Sequence, residues 1–147
     1  MRGLELQANF DPEGPLRFDL AYSYLKGDNR EQDIPLVFMP PNRIKAAINY
    51  QIPSLGSWEK LEFQLANRFI FEQMHLLPSQ DFVAPPPSYN IVSAKASAAR
   101  QIGSNRWHFF IKADNLFNID FRDYLNRQRY FANDLGINVS VGFGLKF

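Results

Sequence analysis

The side chains best placed for chemistry are two histidines and a stretch of arginines, acids and aromatics in the last third of the chain. His75 sits beside Met74 and His108 lies far along the sequence, with no carboxylate at ligand spacing from either. A zinc-type site needs three or four ligands converging on one point, so this pair does not make one. With no cysteine there is no thiolate ligand, thiol nucleophile or disulfide. A Ser-His-Asp set cannot be nominated, and no nucleophile elbow, phosphate-binding loop or zinc-protease motif occurs. The expectation is a protein without catalytic residues, metal or cofactor.

The charged stretch holds Arg122, Arg127 and Arg129 with Asp123 and Asp134. These are expected first to pair with one another and order a long loop, and only second to meet a substrate. Tyr124, Tyr130 and Phe131 could stack on a ligand or cap a rim. The candidate ligand-facing set is therefore Tyr124, Arg127, Arg129 and Tyr130. Phe71, Met74, Leu76, Leu77, Phe82 and Val83 give another long segment an apolar character that loop packing explains.

The segments that must position these residues alternate apolar and polar side chains, the period of a strand with two unlike faces. Seven such segments are expected: Gly3–Phe10, Leu16–Tyr24, Arg43–Ile52, Glu59–Phe71, Tyr89–Arg100, Trp107–Ala113 and Gly136–Phe147. The last is the most regular, with Ile137, Val139, Val141, Phe143, Leu145 and Phe147 facing one way. The fifth is the weakest, because Ala94, Ala96 and Ala98 are small. Links alternate in length. Asp11–Pro15, Pro53–Ser57 and Gln101–Arg106 are short and rich in turn residues, whereas Lys26–Asn42, Glu72–Ser88 and Asp114–Leu135 exceed any ordinary hairpin loop.

Short turns on one side and long loops on the other, between antiparallel strands of about ten residues, form the pattern of a transmembrane β-barrel. A bilayer gives backbone groups no water, so strands cross it only when both edges are paired. The polar faces carry Arg, Lys, Glu and Asp at mid-strand, a poor core for a soluble sandwich and an ordinary lining for a wet lumen. Tyr22, Tyr24, Tyr50, Phe69 and Trp107 lie near strand ends, where an interfacial girdle belongs. A soluble lipocalin-like meander would reverse these faces. The net charge of +1, with both signs interspersed, gives no footprint for nucleic acid or an anionic membrane surface. No run approaches the roughly 18 apolar residues of a spanning helix. The expected class is all-β: an antiparallel up-and-down transmembrane barrel segment of about seven strands.

Two motifs narrow this. The C-terminal Ser140-x-Gly142-x-x-Leu145-x-Phe147 resembles the assembly signal that outer-membrane proteins present to the barrel-assembly machinery, which captures the last strand by its edge. Asp114-Asn115-Leu116-Phe117-Asn118, following an alternating strand, resembles the penultimate-strand signature of TonB-dependent receptors, plugged 22-stranded transporters of the Gram-negative outer membrane. Tyr124-Leu125-Asn126-Arg127, Arg129-Tyr130 and Gly136-Ile137-Asn138 are similar to that family's last loop and final strand, in the form found in Bacteroidetes. Pro35 to Arg43 looks like its Pro-rich return into a strand. One departure is visible: the family usually has Gly-Arg-Asn where Gly136-Ile137-Asn138 stands.

The resemblance implies residues 1–147 as the C-terminal part of a receptor barrel that takes up a large scarce solute, such as a ferric siderophore. Its partners would be outer-membrane lipid, the rest of the barrel and plug, and the assembly machinery. The TonB complex would be reached only through a plug that this stretch lacks. Seven strands cannot close a barrel of that width, so a truncated or split reading frame is expected, with the export leader supplied upstream. The alternatives are a barrel-type binding or assembly module without transport and, less favoured, a small outer-membrane enzyme.

Overall fold

The computed structural model describes every residue from Met1 to Phe147. Seven long strands form one antiparallel sheet in chain order: β1 (Arg2–Phe10), β2 (Leu16–Lys26), β5 (Arg43–Leu55), β6 (Trp58–Ile70), β7 (Tyr89–Ile102), β8 (Asn105–Asp114) and β9 (Asn138–Lys146). A small hairpin of β3 (Asp28–Asn29) and β4 (Ile34–Pro35) sits in the first long loop and was not expected from the alternation. Two 3-10 turns, Pro78–Gln80 and Arg127–Tyr130, lie in the other two. Strand order follows sequence order throughout, the up-and-down topology expected, and β1 and β9 are the open edges of the sheet.

Two of the three short turns are tighter than the sequence pattern suggests. Pairing continues to Leu55 opposite Trp58 and to Ile102 opposite Asn105, so only Gly56-Ser57 and Gly103-Ser104 remain unpaired. Both glycines have φ near +60° (61° and 60°), the first central position of a type II′ turn, where a side chain would be strained. A bulge between Glu59 and Glu62 shifts the β6–β7 register by one, with Lys60 at φ 49°. The last strand begins at Asn138 rather than Gly136, because the Ile137 N–H is taken by Asn118 in the preceding loop, which packs closely on Gly136.

The two faces of the sheet are inverted relative to a water-soluble protein. Leu6, Leu20, Ile48, Leu65, Ile111, Val141 and Phe143 stand exposed in rows across one face. The deepest strand side chain is instead polar, Asn49 at 1% exposure. It lies in a chain of hydrogen bonds across four strands on the opposite face: Asn9 donates to Asp19 at 3.1 Å, Asn49 to Asp19 at 2.7 Å, and Gln64 to Asn49 at 2.7 Å. Buried polar groups must be hydrogen-bonded, and here they satisfy one another across the wall. At the short-turn end, Trp58, Trp107, Phe109 and Phe143 cluster on the apolar face, with ring centroids between 5.8 and 6.2 Å apart. Arg100 lies 5.5 Å over Trp58 there, covering an aromatic belt with a snorkelling cation.

Candidate functional site

Alternating turns bring loops 27–42, 71–88 and 115–137 to one end of the sheet, where they pack together as a crown. Its hinge is Asn115, buried and at φ 53°, a left-handed conformation that Asn tolerates better than most residues. The side chain accepts from Ile119 N–H at 3.0 Å and donates to the carbonyls of Ile119 and Leu135, at 2.9 and 3.3 Å. Leu116 N–H reaches back to Val92 of β7 at 2.9 Å. Asn118, at φ 49°, accepts from Ile137 N–H at 2.8 Å, and its Oδ1 lies where a Cβ on Gly136 would be. The Asn115–Asn118 motif thus ties both stems of the last loop together, while Phe117 points out, 73% exposed.

Arg129 is the centre of the crown. Its side chain is 1% exposed and pairs with Asp81 of the middle loop, itself 3% exposed. The guanidinium lies 5.0 Å from the ring of Tyr124 and 4.6 Å from that of Tyr130, and the Tyr130 hydroxyl donates to Asp81 at 2.6 Å. Burial alone would push the Asp81 carboxyl up, but the Tyr130 hydroxyl and the Arg129 charge outweigh it and hold it below the usual range. Tyr130 is raised by its hydrogen bond to Asp81, and Tyr124 by burial and by the Asp81 charge.

The remaining acids hold the loop through amides. Asp134 accepts from Asp123 N–H at 2.7 Å and from the Asn126 side chain at 2.8 Å, Tyr89 donates to Asp123 at 3.0 Å, and Asn126 caps the 3-10 turn through Gln128 N–H. Arg122 donates to Asn133 and to the Arg129 carbonyl. The expected pairing of Arg122, Arg127 and Arg129 with Asp123 and Asp134 is therefore corrected. Loop order is what these residues provide, but the one buried ion pair uses Asp81, which lies 48 residues from Arg129.

The first loop joins through Phe38, at φ 57°, whose ring lies 6.2 Å from Tyr124 and under Arg127 at 5.5 Å. Buried Gln73 donates to the Met39 carbonyl at 2.7 Å, and His75 meets Asp28 at 2.6 Å. That contact holds the Asp28 carboxyl below its usual range. Of the candidate ligand-facing set, Tyr124 and Arg129 are turned inward, Tyr130 is half-buried, and Arg127 with Leu125 lies outside. Asp81 and Gln73 were not singled out from sequence, and Phe38 only as part of the Pro35 to Arg43 stretch. Only the apolar character around Phe82 hinted at the middle loop's role, and Phe82 itself packs edge-on against Tyr130 at 5.7 Å.

At the other extreme of the chain, Ser140 lies opposite Lys112 and Leu145 opposite Trp107, while Phe147 is 92% exposed beyond β9. Gly142 lies opposite Phe110, whose ring occupies the space of a Cβ, 2.5 Å from its ideal position. On the polar face beneath the crown, a hollow of about 810 Å³ is lined by Glu5, Gln7, Ser23, Arg43 and Lys45, with Pro40 and Pro41 beside it. No cluster of three or more His, Cys, Asp or Glu side chains is present.

Apolar rows outside, a hydrogen-bonded polar wall inside, short turns at one end and a crown at the other define a segment of an up-and-down transmembrane β-barrel. Among solved structures, the chain is similar to the copper transporter OprC, with a TM-score of 0.68 at 20% identity over 96% of this chain and 22% of that one. At that identity the likeness establishes the fold, and the chain spans about a fifth of the transporter's length. No family model matches the sequence, and no curated protein matches it.

Proposed function

We propose that this chain is part of the wall and mouth of a TonB-dependent uptake receptor in the outer membrane of a Gram-negative bacterium. The observation that carries the reading is the inverted sheet with all three long loops knotted at one end. The fold shared with a copper transporter and the Asn115 to Asn118 and Tyr124 to Asn138 resemblance support it. Residues 1–147 supply the C-terminal strands. Further barrel strands pair with the open edges, a plug fills the lumen and alone meets the TonB complex, and Ser140, Gly142, Leu145 and Phe147 present the last strand to the assembly machinery. The protein performs transport rather than catalysis.

The finer reading is a Bacteroidetes-like receptor for a ferric siderophore or similarly large, scarce solute. The test is membrane fractionation followed by energy-dependent uptake of ferric siderophores and of copper ion in cells with and without the gene. Recovery in the outer membrane with loss of one uptake activity on deletion is expected. A soluble or inner-membrane protein would overturn the reading, and loss of copper uptake alone would replace the siderophore.

A further inference from the structure

The polar wall carries cations that the chain does not neutralise. Lys45 of β5 stands directly opposite Arg68 of β6, and Lys95 of β7 directly opposite Lys112 of β8. Like charges directly opposed across antiparallel strands destabilise a sheet. Of the four, only Lys112 has an acid, Asp114 at 2.7 Å; none of the five ion pairs involves Lys45, Arg68 or Lys95. None of those three makes a side-chain hydrogen bond either, although on the same face Asp19, Asn49 and Gln64 are tied together. Arg43, also unpaired, lies two residues above Lys45.

The two like-charged pairs bracket a floor of small residues. The rows of Lys45 and Lys95 lie four residues apart along β6, at Arg68 and Gln64, which is about 13 Å. Midway, Ala47, Ala66 and Ser93 stand side by side on the same face. Small side chains leave room against the wall, with cations above and below. Arg43 and Lys45 also line the hollow under Pro40 and Pro41, so the floor opens toward the crown.

We infer that Lys45, Arg68, Lys95 and Lys112 form a cradle on the inner wall for a multiply anionic solute, whose oxyanion groups meet the two like-charged pairs across the Ala47-Ala66-Ser93 floor. Rings of Lys and Arg select anions in pores for the same reason: unpaired cations at a wall of low dielectric concentrate negative charge. The inference rests on the uptake reading and names the charge of what passes. The like-charge arrangement is retained at a cost to the sheet, and an anion in the cradle offsets that cost.

The experiment titrates the full chain, in detergent micelles or in the assembly with which it purifies, with linear tripolyphosphate at low ionic strength. Saturable binding is expected, weakened about tenfold or more by combining Lys45→Gln with Arg68→Gln and unchanged by Lys146→Gln at the far end of β9. Lys45→Glu separates binding from structure. It turns the Lys45–Arg68 opposition into an attractive pair, so it should raise the thermal midpoint by roughly 1–4 °C while abolishing binding. Absence of saturable binding overturns the cradle, as does equal binding by all variants. A protein segment released by the double variant while tripolyphosphate binding is unaltered does so too, because the occupant is then an acidic chain. Outer-membrane fractionation of the same cells keeps the readings apart: no saturable binding by the unaltered chain, with outer-membrane recovery, sinks the cradle alone.

Discussion

Wall and crown are built from the same chain by opposite means. In the wall, every long strand pairs with its sequence neighbour, exposed rows are apolar, and 64 of the 75 backbone hydrogen bonds lie within strands and helical turns, so no single residue carries the structure. In the crown, order depends on a few buried polar groups: Arg129 with Asp81, Asn115 with both stems, and Gln73 with Met39. Distributed stability tolerates most substitutions on its polar face, whereas concentrated stability fails at one residue. The comparison predicts where single changes hurt.

The largest effect is expected at Asp81→Ala. Removing one partner of a buried ion pair leaves Arg129 uncompensated and costs about 3–5 kcal/mol. The loss should be confined to the crown. Amide exchange at Arg129, Phe131 and Ala132 should rise by orders of magnitude while the β5–β6 ladder keeps its protection. A uniform loss across both regions would break the distinction between them.

The wall has its own vulnerability, on the outside. Leu65, exposed at mid-strand in β6, should tolerate Arg poorly in a bilayer, at about 2–4 kcal/mol, while Gln7→Arg on the inner face of β1 should change little. Urea unfolding in lipid vesicles measures both. Equal costs would mean that the apolar face does not meet lipid.

This asymmetry also decides how much the sequence reveals. Strand period is local: Leu16, Phe18 and Leu20 against Arg17 and Asp19 announce a face within five residues, and the seven long strands fall within a few residues of their expected bounds. Turn lengths are local too, although Ser54 and Leu55 read as turn and pair as strand, because the Gly56-Ser57 turn is tight enough to extend the ladder. The crown is not local. Arg129 has acids beside it in sequence and uses one in another loop, and nothing near Asp81 indicates that partner. Asn115 was legible through a resemblance; the reason for it, a left-handed hinge with three side-chain hydrogen bonds, emerges only in three dimensions.

Asn115→Ala should cost about 2 kcal/mol, from the lost hydrogen bonds and the strain of a left-handed alanine. The change detaches the last loop's stems, so cleavage by a loop-directed protease between residues 115 and 137 should accelerate while the strands stay resistant. Gly142→Ala follows, at about 1 kcal/mol, since the Phe110 ring must swing away. Combining it with Phe110→Ala should recover part of that loss in a double-mutant cycle. If the pair is simply additive, the glycine serves the assembly signal and not the packing of the wall.

The gentlest way to separate the regions is pH. The Asp81 carboxyl is held below its ordinary value of 3.8 in the folded crown, so its contribution is fully present above that value and is lost as pH falls through the lower folded one. Tyr124 and Tyr130 are raised above the ordinary 10.0, so their contribution is complete below pH 10 and is lost as pH rises through the folded values. Protection at Arg129 and Phe131, corrected for intrinsic exchange, should therefore be flat between about pH 5 and 9 and fall on both sides. Amides at the centre of the β5–β6 ladder, held by the paired backbone of two long strands rather than by a buried ion pair, should change less than those of the crown on either side. Parallel decline in both regions would show that crown and wall melt as one unit and that the buried arginine is not where the crown's stability is concentrated.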